Sequence, residues 1–215
     1  MVNAVIQTGA QTAGRAARYE RQREVTRARL LAAAVEVMVE QGYLRTSVED
    51  ILVRAGVSRA TFYAHFDDKL AVMRALAADA SPAWRPLFDE LADSGAWPRE
   101  AFNDWASRLM DVYRRRGGLS VLVNSVAATE DAVFAVLAEQ RKALILALAD
   151  KLPAFSRALE SSEGFLRAEL MLQNLDHACY HVACRDKAIG AEEGARVVAE
   201  IVTGFLHAEP RPAER

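Results

Sequence analysis

Apolar side chains recur along this chain at spacings of three and four residues, and no stretch alternates in the manner of a half-buried strand. The pattern predicts an all-α protein of about ten helical segments punctuated by Gly and Pro. The first spans about Glu20–Gln41, with Leu31, Val35, Met38 and Val39 as its apolar stripe and Gly42 as its stop. A second opens at Thr46, where Thr46-Ser47-Val48-Glu49 fits a capping box, and places Val48, Ile51, Leu52 and Ala55 on one face before Gly56. A short third segment, Arg59–Phe66, takes Ser58 as N-cap, and Asp67 or Asp68 caps a fourth that reaches about Ala80.

Beyond that point Ser81-Pro82 marks a helix start, with Pro86 disturbing the turns that follow. Pro98 opens a helix that ends at Gly117-Gly118, and a short one covers Leu119–Ala127. Thr129 caps the next, which runs to Leu152 before Pro153. After a brief Pro153–Leu159 piece, Ser162 starts a helix to about Arg185, and Gly190 separates it from a last one, Ala191–His207. The expected organisation is a disordered arm at 1–19, a compact three-helix unit at 20–66 and a larger helical domain at 67–215.

Composition sharpens this in a few places. With 52% apolar residues in a 215-residue chain, a folded core is expected. The longest aliphatic run, Ala143–Ala149, is far too short for a bilayer of about 30 Å. Residues 1–14 lack charge and a sustained apolar core, and do not read as a signal peptide. Cys179 and Cys184 are too few for a disulfide framework, which points to the cytoplasm, and with no spanning run no membrane is expected. Net charge is −2, unevenly spread: residues 15–74 hold eleven Arg/Lys against eight Asp/Glu, the remainder sixteen against twenty-one. A basic first part joined to an acidic remainder places any polyanion contact in the first part.

Helices two and three, joined by a tight Gly turn and packed on the first, form a helix-turn-helix. Ile51, Leu52, Val57, Phe62 and Phe66 supply the small shared core. At about 100° per residue, inward Phe62 and Phe66 turn Ala60, Thr61 and Ala64 outward, with Tyr63 and His65 on the flanks. Small outward residues let a helix approach a major groove closely, and their methyl groups suit thymine. Arg59 reaches a guanine edge or a phosphate, while Tyr63, His65, Lys69, Thr46 and Ser47 are placed for phosphates, with Ser58 at the start of the same helix. Arg15, Arg18, Arg21, Arg23, Arg27 and Arg29 add non-specific attraction or reach a neighbouring minor groove.

The run Thr46-Ser47-Val48-Glu49-Asp50-Ile51, then Ala55-Gly56-Val57-Ser58-Arg59-Ala60-Thr61-Phe62-Tyr63-Ala64-His65-Phe66, then Lys69, closely resembles the DNA-binding domain of the TetR family of bacterial regulators. The resemblance is specific over about Val25–Leu76. It implies an N-terminal three-helix helix-turn-helix domain, a larger helical ligand-binding and dimerisation domain, and repression of a palindromic operator relieved by a small molecule. It further implies that the third helix reads DNA, and that Tyr63, His65 and Lys69 hold the DNA backbone. Asp67-Asp68 departs from the family pattern and sets two carboxylates beside the phosphates.

The same resemblance makes the last two long helices the homodimer surface, with Ala195, Val198, Val202 and Phe205 as its stripe and Gly194 and Gly204 allowing close approach. Large apolar and aromatic side chains gather in mid-chain, among them Trp84, Phe88, Trp97 and Phe102. Trp105, Met110, Tyr113, Phe134 and Met171 are expected to wall a pocket for a largely apolar effector, with Asn124, Asn174, His177 and His181 as its polar part. His177, His181 and Cys184 leave a metal reading open, although no CxxC or nearby acid supports it. No nucleophile elbow, phosphate-binding glycine loop or paired-carboxylate motif is present, so neither catalysis nor a cofactor is expected. Repression and activation use the same DNA contacts and are not distinguished at this level.

Overall fold

In the computed structural model, residues 2–79, 84–93, 98–185 and 189–208 are described. The expected helix start at Ser81-Pro82 and the aromatic Trp97 lie outside them. All regular structure among these residues is helical: α1 (Val2–Gln41), α2 (Val48–Ala55), α3 (Arg59–Tyr63), α4 (Lys69–Ala78), α5 (Arg85–Asp93), α6 (Arg99–Ala127), α7 (Asp131–Ala149), α8 (Pro153–Ala158), α9 (Ser162–Tyr180) and α10 (Ala191–Leu206). A π-helical turn, His181–Arg185, continues α9. Among them no single helix is long and apolar enough to cross a membrane. The chain divides into two compact units, Met1–Val72 and Met73–Arg215, with the division falling inside α4.

The first unit is built on α1. This helix begins at Val2, where the sequence leads one to expect an arm up to residue 19. Its buried face is Leu30, Leu31, Ala34, Val37 and Met38, whereas Val39 is half-exposed. Adjacent apolar residues at 37–39 cannot all share one side of a 3.6-residue helix, and the side continuous with Leu30 and Ala34 wins. The cap of α2 also moves by one residue. Ser47, not Thr46, is the N-cap, and its hydroxyl accepts from the Asp50 amide while Asp50 Oδ2 accepts from the Ser47 amide at 2.8 Å. Gly56 closes α2 at φ 62°, a conformation that other residues adopt at a steric cost.

The second unit wraps α5–α10 around Trp105, which is fully buried and donates its indole N–H to the Leu87 carbonyl at 2.8 Å. The expected break at Gly117-Gly118 proves to be a kink within α6, where Gly117 takes φ 32° and ψ −107°. These angles lie outside the helical region, so α6 is two helical segments that meet at Gly117, where the sequence leads one to expect a break.

Ala195, Val198 and Val202 on α10 are all buried within this unit, packed with α6, α9 and the π-helical turn. Gly194 serves the same contact, since a Cβ there would meet Val182 Cγ1 at 2.3 Å. The stripe expected to meet a second copy is therefore core, and the α9 and α10 apolar residues left exposed are Leu166, Leu170 and Val197. The sequence cannot tell which side of an amphipathic helix meets its own domain and which meets a partner, because both are apolar.

Candidate nucleic-acid interface and ligand cavity

Helix α3 is held from both sides. Ser58 caps it by accepting from the Thr61 amide at 3.1 Å, and Phe62 and Phe66 are buried with ring centroids 5.9 Å apart. With these anchors inward, Ala60, Tyr63 and Ala64 are exposed and Thr61 and His65 are half-buried at the edges. The surface is small-residued in the middle and polar at its rim.

Its charged groups are positioned by neighbours. Arg59 Nη2 pairs with Glu49 Oε2 of α2 at 2.6 Å. Arg54 forks between Glu36 and Glu40 of α1 at 2.9 and 2.7 Å, so its charge is spent holding α2 to α1. His65 lies in the field of Arg23 and Arg27 on α1; burial first, then these two cations, hold its imidazole below the usual range. The basic lead-in helix thus runs beside the carboxyl-terminal end of α3.

Two of the residues expected to touch phosphate have other work. Thr46 is buried; its hydroxyl donates to the Gly42 carbonyl at 2.9 Å and is not presented to a ligand. Lys69 Nζ donates to the carbonyls of Tyr43 and Thr46 at 2.7 and 2.8 Å, and lies 4.3 Å from the Tyr43 ring centroid. Lys69 is therefore a clamp on the α1–α2 turn, with one of three N–H donors left. Ser47 is exposed beside that turn. Asp68 caps α4, its Oδ1 accepting from the Ala71 amide at 2.7 Å, while Asp67 faces solvent.

The second unit contains a cavity of about 80 Å³ between α5, α6, α7 and α9. Trp84, Phe88, Leu109, Leu144, Leu172 and Leu175 form much of its wall. Of the expected pocket residues, Tyr113 and Asn124 line it. Trp105, Met110 and Met171 are core, and Phe134 is 44% exposed. Asn174, His177 and His181 do share one face of α9, but that face looks outward. The two imidazoles stack at 6.4 Å, and Cys184 turns its thiol to the Tyr113 carbonyl at 3.5 Å. Among the described residues no group of three His, Cys, Asp or Glu side chains is placed to hold a metal ion.

The polar residues that do line the cavity are Arg116, Ser120, Gln140, Arg141 and Asp176 beside Tyr113 and Asn124. Asp176 accepts from the Tyr113 hydroxyl and from Asn124, and burial pushes its carboxyl up. Burial likewise pushes the Tyr113 hydroxyl well up and the Arg116 guanidinium down. Arg116 and Gln140 donate to carbonyls at and just past the end of α4: Arg116 to Asp79 at 3.0 Å, Gln140 to Ala77 and Ala78 at 3.1 and 3.0 Å. A signal for these charges was present in the sequence. Arg116 follows Leu109, Val112 and Tyr113; Arg141 falls between Leu137 and Leu144; Asp176 follows Leu172 and Leu175. Each is an ionisable residue on the apolar stripe of its helix.

Residues 30–76 match the family model described as bacterial regulatory proteins, tetR family. Over 55 residues the chain is 44% identical to the HTH-type transcriptional regulator SrpR of Pseudomonas putida, covering 26% of each. Over 54 residues it is 43% identical to the HTH-type transcriptional activator FasR of Mycolicibacterium smegmatis, covering 25% of each. The matches to these curated relatives therefore span about a quarter of their length. Solved structures resemble more of it. A TetR-like transcriptional regulator from Rhodococcus aligns over 86% of this chain and 97% of its own at TM-score 0.59 and 21% identity. The TetR-family regulator PfmR of Thermus thermophilus aligns over 86% and 99% at TM-score 0.57 and 19% identity. Residues 30–76 thus match the helix-turn-helix domain of the tetR family of bacterial regulatory proteins, in a chain whose fold is similar to that of solved TetR-like regulators.

Proposed function

We propose that this protein is a cytoplasmic transcriptional repressor that binds a palindromic operator as a homodimer and releases it when a small, largely apolar effector enters the cavity. The observation that carries the reading is the exposed face of α3, where Ala60, Tyr63 and Ala64 stand clear above the buried Phe62 and Phe66. Arg59, Thr61, His65, Ser58 and Ser47 frame that face for bases and phosphates. One five-residue helix reads few base pairs, so two copies about one DNA turn apart supply the specificity. Leu166, Leu170 and Val197 are the apolar surface offered to the second copy.

Release is supported by what lines the cavity. Arg116 and Gln140 both face it and both hold carbonyls at and just past the end of α4, the helix that continues from the helix-turn-helix unit. An occupant that draws on either side chain loosens those bonds, which gives it the differential contact that switching requires. A second reading, activation, is favoured by one relative's name, the activator FasR.

The test is a gel-shift titration of the full chain on DNA upstream of its own gene and its neighbours. Binding lost in an Ala60→Glu/Tyr63→Ala variant with unchanged circular dichroism supports the assigned face; undiminished binding overturns it. A reporter driven by the bound fragment then rises on gene deletion for a repressor and falls for an activator.

A further inference from the structure

We infer that the cavity of the second unit is built for an organic anion: a compact apolar body carrying one carboxylate, which Arg141 binds. The inference rests on the effector reading above and names the chemistry of that ligand.

Arg141 lines the cavity with a side chain only 11% exposed, yet its Nε and Nη2 have no hydrogen-bond partner. A guanidinium stays charged at any physiological pH, and burying its donors unmet is costly, so such groups are rare unless something else fills them. The nearest acid, Glu169, approaches Nη2 at 3.8 Å, beyond hydrogen-bonding distance, and is itself 27% exposed. The Phe134 ring lies 5.6 Å from the guanidinium carbon, an aromatic contact that leaves the in-plane N–H groups free.

The cavity's acid is in the opposite condition. Asp176 already accepts from Tyr113 and Asn124, and burial pushes its carboxyl up, towards the neutral form. Unmet donors beside satisfied acceptors favour an anion over an ammonium. Arg116, half desolvated on the same wall, adds positive potential. The planar fork of a guanidinium matches a carboxylate with two parallel bonds. Trp84, Phe88, Leu109, Leu144 and Leu172 then require the rest of the ligand to be apolar. A cavity of about 80 Å³ requires it to be compact.

Calorimetry on the full chain with matched trios tests this: phenylacetate, phenylacetamide and phenethylamine, then hexanoate, hexanamide and hexylamine. The acids are expected to bind about tenfold or more tighter than their amides, and the amines not at all. Arg141→Met abolishes that preference, and Glu169→Gln, which removes the acid nearest to Arg141 while Asp176 stays on the same wall, strengthens it should Arg141→Met fold poorly. Amide binding equal to acid, amine binding tighter than acid, an acid preference that survives Arg141→Met, or no carboxylate binding at millimolar concentration overturns the inference. The operator complex gives a separate readout. An acid that binds without releasing DNA keeps the anion site and overturns the effector reading, whereas release by acid and amide alike does the reverse.

Discussion

Arg59, the first residue of α3, has its guanidinium 2.6 Å from the Glu49 carboxylate of α2. The side chain best placed to reach a base edge is thus paired within the protein. Both partners are about two-thirds exposed, so the pair adds little to stability and must open for Arg59 to reach DNA. Glu49→Gln is expected to leave the thermal midpoint near wild type while tightening operator binding at low salt. The gain shrinks as salt rises, because removing a carboxylate near phosphates is a screened effect. Fluorescence anisotropy across a salt series checks it, and weaker binding by the variant would show that the pair orients Arg59 for DNA.

Lys69 and Tyr63 separate structure from recognition. Lys69 donates to two carbonyls of the α1–α2 turn, so Lys69→Met removes both bonds, though the Thr46 amide still donates to the Tyr43 carbonyl, and costs about 1–3 kcal/mol. Tyr63 is 48% exposed, and Tyr63→Ala should leave stability within about 0.5 kcal/mol while weakening DNA binding. Urea denaturation of the two variants beside wild type distinguishes them; equal stabilities would remove the clamp role of Lys69.

That division also shows what the sequence carries. The helix-turn-helix was legible because its parts are local: capping residues, Gly56 and the Phe62–Phe66 spacing all lie within one short run. The clamp role of Lys69 was not legible because its partners, Tyr43 and Thr46, are more than twenty residues away, and no periodicity records a lysine–carbonyl bond. The aromatic wall of the cavity was only partly legible, since Trp105 and Phe88 are equally apolar whether they face a core or a void. Its polar residues left a clearer trace as charges on apolar stripes, but choosing outward-facing His177 over inward Asp176 needs the helix phase, which one residue of error turns by about 100°.

Among the described glycines, Gly194 makes the closest approach to a neighbouring element. A methyl group there would sit 2.3 Å from Val182 Cγ1, on the π-helical turn that α10 crosses. Gly194→Ala gains helix propensity of about 1 kcal/mol but overpacks this contact at about 1–3 kcal/mol. A net loss of stability is expected, and Val182→Ala in the same chain should recover part of it. Thermal melts of the single and double variants form the cycle, and additive effects would mean that the two residues do not press on each other.

His65 gives the two functions of the first unit opposite pH dependences. In the free protein, burial and the nearby Arg23 and Arg27 hold its pKa below the ordinary imidazole value of about 6.5. The unfolded chain therefore binds the proton more readily than the folded one, and stability, constant above that value, falls as pH drops through it towards the lower folded value. If His65 reaches a phosphate in the complex, the anion raises the same pKa, the complex takes up a proton, and affinity climbs as pH falls from about 8 to 6. His65→Asn should flatten both trends. Chemical denaturation and anisotropy over that range read them separately. A wild-type affinity that does not strengthen towards acid, with stability still declining, would place His65 off the DNA backbone and leave it as a buttress between α1 and α3.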